Sequence, residues 1–254
     1  MTDHPLKQEG EYSFQDTPEI GDKVVPKHIA FIMDGNGRWA QKRNLPHVAG
    51  HRQGMEVARE VVRACSQLGI SFLSLYVFSS ENWNRPDEEV SYIMELLQDF
   101  LKSELEELHK ENVRTVFIGN KHGLSDHIQD LMDNMERTTR NNTGLTLILA
   151  INYGARAEIV EAVRSIAAQC SAGGLKPSNI DETTVSNALA TRGIPDPDVI
   201  VRTSGEQRLS NFFLWQSSYA EFVFTPVLWP DFGREELWAV LKEYANRQRR
   251  YGAR

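Results

Sequence analysis

Three short, nearly continuous apolar runs constrain this chain most: IAFIM at 29–33, LTLILAI at 145–151 and FVF at 222–224. A strand with one face in water alternates apolar and polar residues. A strand covered by helices on both faces is apolar throughout, as in parallel sheets built from βαβ units. Around these runs stand segments with the helical apolar period. Strands are therefore expected at His28–Asp34, Ser71–Ser79, Val113–Gly119, Leu145–Tyr153, Asp198–Ser204 and Ala220–Thr225. Helices are expected at Gln53–Leu68, Asp87–Glu111, Ser125–Arg140, Arg156–Cys170, Glu182–Ala190 and Arg234–Arg250. The fold class that follows is α/β: a single domain with an about six-stranded, mainly parallel sheet surrounded by helices.

A chain of 254 residues, 41% of them hydrophobic, can bury one sizeable core. Its formal net charge of -7 argues against nucleic acid as a partner, because neutralising a phosphate backbone takes a basic face. Any cationic site must be local. Residues 1–25 are polar and acidic, carry Pro5, Gly10, Pro18 and Gly21, and show no sustained apolar period, so a flexible leader is expected there and the folded domain over 26–254. No basic-then-apolar signal opens the chain and no apolar run approaches bilayer length, which makes the cytoplasm the expected compartment. Cys65 and Cys170 lack a CxxC or histidine-spaced partner and read as buried thiols rather than a disulfide. In the helix beginning at Asp87, an apolar stripe of Val90, Ile93, Met94, Leu97, Phe100, Leu101, Leu105 and Leu108 is either ordinary core or, in part, the wall of an apolar cavity.

The densest chemical signal is MDGNGRWA, Met33–Ala40, where the first strand ends. Ligands of open α/β sheets bind beyond the carboxyl ends of the strands. Asp34 should emerge at that edge, where a carboxylate must be solvated or paired with a cation. Gly35 and Gly37 allow close backbone approach around Asn36, and Arg38, Arg43, His47 and His51 form a local cationic cluster. This combination suits a diphosphate bridged to Asp34 by Mg2+; a glycine-rich turn whose aspartate caps a helix is the alternative. A second strand ends in FSSENWNRP, Phe78–Pro86, and a third in RTSGEQRLSNF, Arg202–Phe212, whose two arginines and Ser210 make a diphosphate clamp or, more blandly, a solvated loop. Glu221 is a second candidate metal carboxylate.

Taken together, HIAFIMDGNGRWA, GHRQG, FSSENWNRP, RTSGEQRLSNF, FFLWQSSYAEFVF and LWPDF closely resemble the cis-prenyltransferase family, in particular bacterial undecaprenyl diphosphate synthases, from about His28 to the C-terminus. The resemblance implies one parallel sheet with helices, a homodimer, and a hydrophobic tunnel for a growing prenyl chain, with a large side chain at Leu145 expected at its floor. It implies repeated condensation of isopentenyl diphosphate onto an allylic diphosphate such as farnesyl diphosphate, with Mg2+ as cofactor, cis double bonds, and at most transient membrane association. By motif position, Asp34 is the essential carboxylate and metal ligand. Gly35, Asn36, Gly37, Arg38, Trp39, His47 and His51 belong to the allylic diphosphate site, which Ser79, Ser80, Glu81, Trp83 and Arg85 complete. Asn82 is the group assisting proton removal, although an asparagine is a poor base and a positioning role is equally open. Arg202, Arg208, Leu209 and Ser210 correspond to the isopentenyl diphosphate clamp, and Glu221 to a metal ligand reaching the site across the dimer.

Two positions depart from the pattern. His47 stands where many relatives carry arginine, and Gln207 where some carry a histidine proposed to touch the metal. A trans-prenyltransferase is disfavoured, since the chain has no DDxxD motif. Cis-prenyltransferases of other product length, and a non-catalytic partner subunit of the same fold, remain as alternatives.

Overall fold

The structure, a computed structural model, describes residues 25–247. The expected leader thus lies outside the described residues apart from Val25, as does the expected continuation of the last helix beyond Arg247. Six strands form one parallel sheet: β1 (His28–Ile32), β2 (Phe72–Ser79), β3 (Arg114–Ile118), β4 (Thr146–Tyr153), β5 (Val199–Arg202) and β6 (Glu221–Phe224), in the order β3-β4-β2-β1-β5-β6. All the apolar runs that suggested a doubly covered sheet lie in it.

The strands bury both faces. Ile29, Phe31, Leu73, Leu75, Leu147 and Leu149 face one cluster, while Ala30, Ile32, Ile148, Ala150 and Ile200 face the other with Phe212 and Phe213. The helices are α1 (Asn36–Lys42), α2 (His47–Gln67), α3 (Asp87–Ser103), α4 (Leu105–Lys110), α5 (Asp126–Thr139), α6 (Ala155–Ser171), α7 (Glu182–Ala188) and α8 (Arg234–Asn246). Among the described residues no helix is long and apolar enough to cross a membrane. Cys65 is buried, which pushes its thiol up, and Cys170 is only partly covered; neither is in a disulfide.

Two expectations are corrected. The helix expected over Asp87–Glu111 divides at Glu104, where the Ser103 hydroxyl donates to the Glu104 carboxylate at 2.8 Å and that carboxylate turns inward to Arg59 of α2 at 2.9 Å. The glycine-rich stretch after β1 is mostly helix, not loop. Gly35 alone turns the chain, at φ 110, a left-handed conformation in which a Cβ would also sit 2.9 Å from Leu228. Helix α1 starts at the next residue, closed by Trp39 N–H donating to the Gly35 carbonyl at 2.8 Å. α1 then lies so close to α2 that a Cβ at Gly50 would meet the Asn36 carbonyl oxygen at 2.0 Å. This contact explains why α2 begins at His47 rather than Gln53: its glycines serve packing, and Pro46 starts it.

At the amino edge of the sheet, buried His28 bonds the Pro195 carbonyl through Nδ1 (2.6 Å) and the Ser74 hydroxyl through Nε2 (2.8 Å). Burial lowers its pKa from 6.5 to about 4, against the opposing pull of the Pro195 carbonyl and Asp198. In the unfolded chain this imidazole takes up a proton below pH 6.5, while the folded protein refuses it until about pH 4. Its contribution should therefore be full above pH 6.5 and fall by about 1.4 kcal/mol per pH unit down to pH 4. Urea midpoints measured between pH 7 and about pH 5 should fall less steeply in His28→Gln than in the parent; parallel profiles would refute this.

Candidate functional site

Chain order places a crevice beside β1. The chain leaves β1 for β2 on one side and later returns through β5 on the other, and ligands of open α/β sheets sit beyond such a switch point. Ile32 of β1 pairs in register with Arg202, the last residue of β5, so the two following loops meet at the carboxyl edge. Thr203 fixes that meeting: its hydroxyl donates to the Asp34 carbonyl at 2.6 Å and accepts from the Asp34 N–H at 2.9 Å.

Asp34 is held between two guanidinium groups. Its Oδ2 accepts from Arg202 at 2.8 Å and its Oδ1 from Arg38 at 3.3 Å. Burial pushes the carboxyl up, but the hydrogen bond and charge of Arg202, then the charge of Arg38, outweigh it and hold Asp34 below the usual carboxylate range. The Arg202 side chain is only 5% exposed and is fixed further by the Ser210 hydroxyl at 2.7 Å and the Arg208 carbonyl; its buried Nε has no partner. Arg38 also reaches the Ser204 hydroxyl (2.6 Å) and Glu206 (3.0 Å), and Arg208 pairs with the same Glu206. Two of these arginines thus rest on exchangeable carboxylates near solvent, while Arg202 is built in. An incoming polyanion can take over Arg38 and Arg208 at small cost and find Arg202 already oriented.

A second cluster lies at the start of α3. The Glu89 carboxylate accepts from Arg85 at 2.8 Å and lies 3.2 Å from His51 Nε2. Burial lowers the His51 pKa despite that carboxylate. From here an apolar cavity of about 120 Å3 runs between the sheet and helices α2 and α3, lined among others by Met33, Asn36, Met55, Ile93, Phe100 and Leu149. Part of the α3 stripe therefore is a cavity wall, while Val90 and Leu101 are buried away from it. Leu145, expected at a tunnel floor, is buried in the core outside the cavity lining; Leu149, four residues along the same face of β4, lines it instead.

The remaining expected residues are distributed as follows. Gly35 and Gly37 flank Asn36, whose buried Oδ1 has no partner. Trp39 Nε1 donates to Asp231 at 2.7 Å, and Arg43 pairs with the same carboxylate while stacking over the Trp39 ring at 4.3 Å. His47 is exposed at the start of α2. Asn82 accepts from Ser79 N–H at 3.0 Å, so its amide oxygen holds the turn after β2. Ser80 and Glu81 face Asn211, and Trp83 donates to Asn152 at 2.8 Å and remains 37% exposed. Leu209 packs against the Phe212–Phe213 cluster. Glu221 opens β6 opposite Val199, at the amino edge of the sheet and away from Asp34, and is paired with Arg247 at 2.8 Å. Within one chain Glu221 and Asp34 do not share a site. Gln207 is exposed.

The sequence reading missed Ser204, Glu206, Glu89, Asp231 and Asn211. Glu206 and Asn211 stand inside the RTSGEQRLSNF stretch, where its arginines carry the stronger signal, and Glu89 lies in the first turn of α3, where an acidic residue is expected to complement the helix dipole. Among the described residues no group of three or more His, Cys, Asp or Glu side chains could cage a metal ion. Asp34 and Glu206, which share Arg38, are the carboxylates at this edge, a donor set that would fit a hard cation such as Mg2+, which takes one or two carboxylates and completes its shell from water and phosphate.

Comparison with known proteins gives one answer. The undecaprenyl diphosphate synthase family of prenyltransferases matches residues 32–252. An isoprenyl transferase of Agrobacterium fabrum (strain C58) is 52% identical over 229 residues, covering 90% of this chain and 93% of its own. One of Rhizobium meliloti is 52% identical over 234 residues, covering 92% and 95%. Among solved structures, a lavandulyl diphosphate synthase from Lavandula x intermedia in complex with dimethylallyl diphosphate superposes with a TM-score of 0.88 at 41% identity, covering 90% of this chain and 98% of that one. A probable undecaprenyl diphosphate synthase of Campylobacter jejuni gives 0.75 at 34%, covering 90% and 99%.

Proposed function

The chain belongs to the undecaprenyl diphosphate synthase family of isoprenyl transferases, and from that premise we propose that it condenses isopentenyl diphosphate repeatedly onto an allylic diphosphate, with farnesyl diphosphate as primer and cis double bonds in the product. Family membership supports cis-prenyl transfer as the enzyme class. One observation carries the finer reading: Arg38 and Arg202 on Asp34, with Arg208 joined to Arg38 through Glu206, adjoin an apolar cavity whose wall includes Met33 and Asn36, the residues on either side of Asp34 and Gly35. A molecule with a diphosphate head and a prenyl tail matches that pairing of surfaces.

Arg202, Arg208 and Ser210 would hold isopentenyl diphosphate. The amino end of α1 with Arg38, and His51 and Arg85, would hold the allylic diphosphate. Asp34 would hold Mg2+, which when bound supplies charge neutralisation for a diphosphate. The protein's own part is to fix the homoallylic double bond against C1 of the allylic partner and to hold the leaving charge in Arg38. The exposed edge strand, with Phe224 and nearby Tyr219 open to solvent, supports a homodimer, and Glu221 could reach a metal only from a partner subunit. Residues 26–254 are the proposed catalytic unit, working in the cytoplasm and touching membrane only transiently, on an undecaprenyl product that serves cell-wall synthesis as a lipid carrier precursor.

Incubating the purified protein with Mg2+, farnesyl diphosphate and labelled isopentenyl diphosphate should give a polyprenyl diphosphate with new cis double bonds; no product, or trans product, would refute the reading. A cavity of about 120 Å3 holds only the beginning of a prenyl chain, so a long product requires α3 to move outward. The likeness to a lavandulyl diphosphate synthase gives a second reading, a short product, which chromatography of the same reaction separates. Leu149→Trp, which fills the cavity from the β4 side, should shorten the product by one or more five-carbon units. An unchanged length distribution would remove the cavity from the tail's path.

A further inference from the structure

The geometry points to Asn211 as the positioning residue that sets the two diphosphate subsites against each other. This rests on the proposed function, and it concerns a residue outside both clamps. Asn211 spends both ends of its amide on different elements. Its Nδ2 donates to Glu81 Oε1 at 2.7 Å in the turn after β2, and its Oδ1 accepts from Arg156 N–H at 2.9 Å in the first turn of α6. Its own carbonyl accepts from Ala155 N–H at 2.8 Å. The residue sits at φ 64, the left-handed region where asparagine is tolerated better than most side chains, directly after Ser210 at φ 49.

Independent packing closes the same junction. Gly154, between β4 and α6, lies so tightly against it that a Cβ there would stand 2.5 Å from Ser80 Oγ and 2.7 Å from Asn211 Nδ2. On the other side of the loop the Tyr76 hydroxyl contacts the carbonyls of Tyr153 (3.1 Å) and Ser210 (3.3 Å). The Ser79–Arg85 segment and the Arg202–Ser210 loop therefore meet through Asn211 and Glu81, beside the arginines of the two clamps. Displacing this joint by about 1 Å would leave each subsite with its binding groups and misalign the two reacting carbons, a change that costs up to about 100-fold in rate.

The test is an amide swap. Asn211→Asp places a carboxylate against Glu81 and should lower kcat about 10- to 100-fold, with both KM values changed less than about threefold. Glu81→Gln/Asn211→Asp restores one donor facing one carboxylate and should be faster than Asn211→Asp, approaching the rate of Glu81→Gln alone, which is the reference for Glu81's own part in the allylic site. Gly154→Ala, which removes no polar group, should reproduce the kcat defect by pushing Ser80 and Asn211 apart. A double variant no faster than Asn211→Asp, or a loss carried by KM alone, would overturn the assignment. Backbone amide exchange over 79–84 provides a readout without turnover: protection should fall in Asn211→Asp and return in the double variant, and unchanged protection would also overturn it. If the parent protein made no prenyl product, the proposed function would fail while the exchange result still judged the joint.

Discussion

Replacing Asp34 by asparagine should lower the rate of condensation about a thousandfold or more while the protein stays folded. The substitution is nearly isosteric and keeps one oxygen for Arg202, yet it removes the only carboxylate that Arg38 and Arg202 share. Arg202 retains the Ser210 hydroxyl and the Arg208 carbonyl, so it is not left bare, and the stability cost should be about 1–2 kcal/mol. What disappears is the anchor for Mg2+ and the negative charge that holds two guanidinium groups in register before substrate arrives. Single-turnover assays on farnesyl and isopentenyl diphosphates, with far-UV circular dichroism as the control for folding, measure both effects. Turnover within tenfold of the parent, in a folded Asp34→Asn protein, would sink the role given to this carboxylate.

The contrast between Asp34 and Glu221 shows what the sequence could tell. Asp34 was legible because it ends an apolar strand, and in a parallel sheet every such ending lies on one edge. Arg202 was legible for the same reason. Glu221 begins a strand, and that rule places it on the opposite edge, where β6 pairs it with Val199; its candidacy as a metal carboxylate overlooked that rule, and the resemblance assigns it a site across the dimer. Helix α1 escaped notice because two glycines and an asparagine argue locally for a turn. Its helix is stabilised by tertiary contacts, the backbone of Asn36 against Gly50 and Trp39 against Asp231, which lie far apart in sequence. The division of the long helix at Glu104 had a similar cause, since Arg59 draws the carboxylate inward and periodicity carries no record of that partner. Asn211 was hidden for a further reason. Its importance comes from joining two loops and the first turn of α6, and no spacing within one loop encodes that.

The two clamp arginines, which sequence reasoning treated alike, should separate in their pH dependence. Arg208 is exposed and pairs with Glu206, whereas Arg202 is buried and contributes the strongest attraction holding Asp34 ionised. Arg208→Ala should raise the KM for isopentenyl diphosphate and leave the acid limb of the pH–rate profile in place. Arg202→Gln should raise that KM by about 30-fold or more and also move the acid limb upward, which Arg208→Ala does not. The sign follows from Asp34: burial pushes its carboxyl up, Arg202 overcomes that push, and without the guanidinium the burial effect is left opposed only by Arg38 and Ser204. Activity that needs the ionised carboxylate is then lost at higher pH. Profiles of kcat/KM for isopentenyl diphosphate, taken at saturating allylic substrate for the parent and both variants, decide the matter. An acid limb that stays fixed in Arg202→Gln would mean that Asp34 does not titrate in the rate, and its proposed work as an ionised anchor would have to pass to another group.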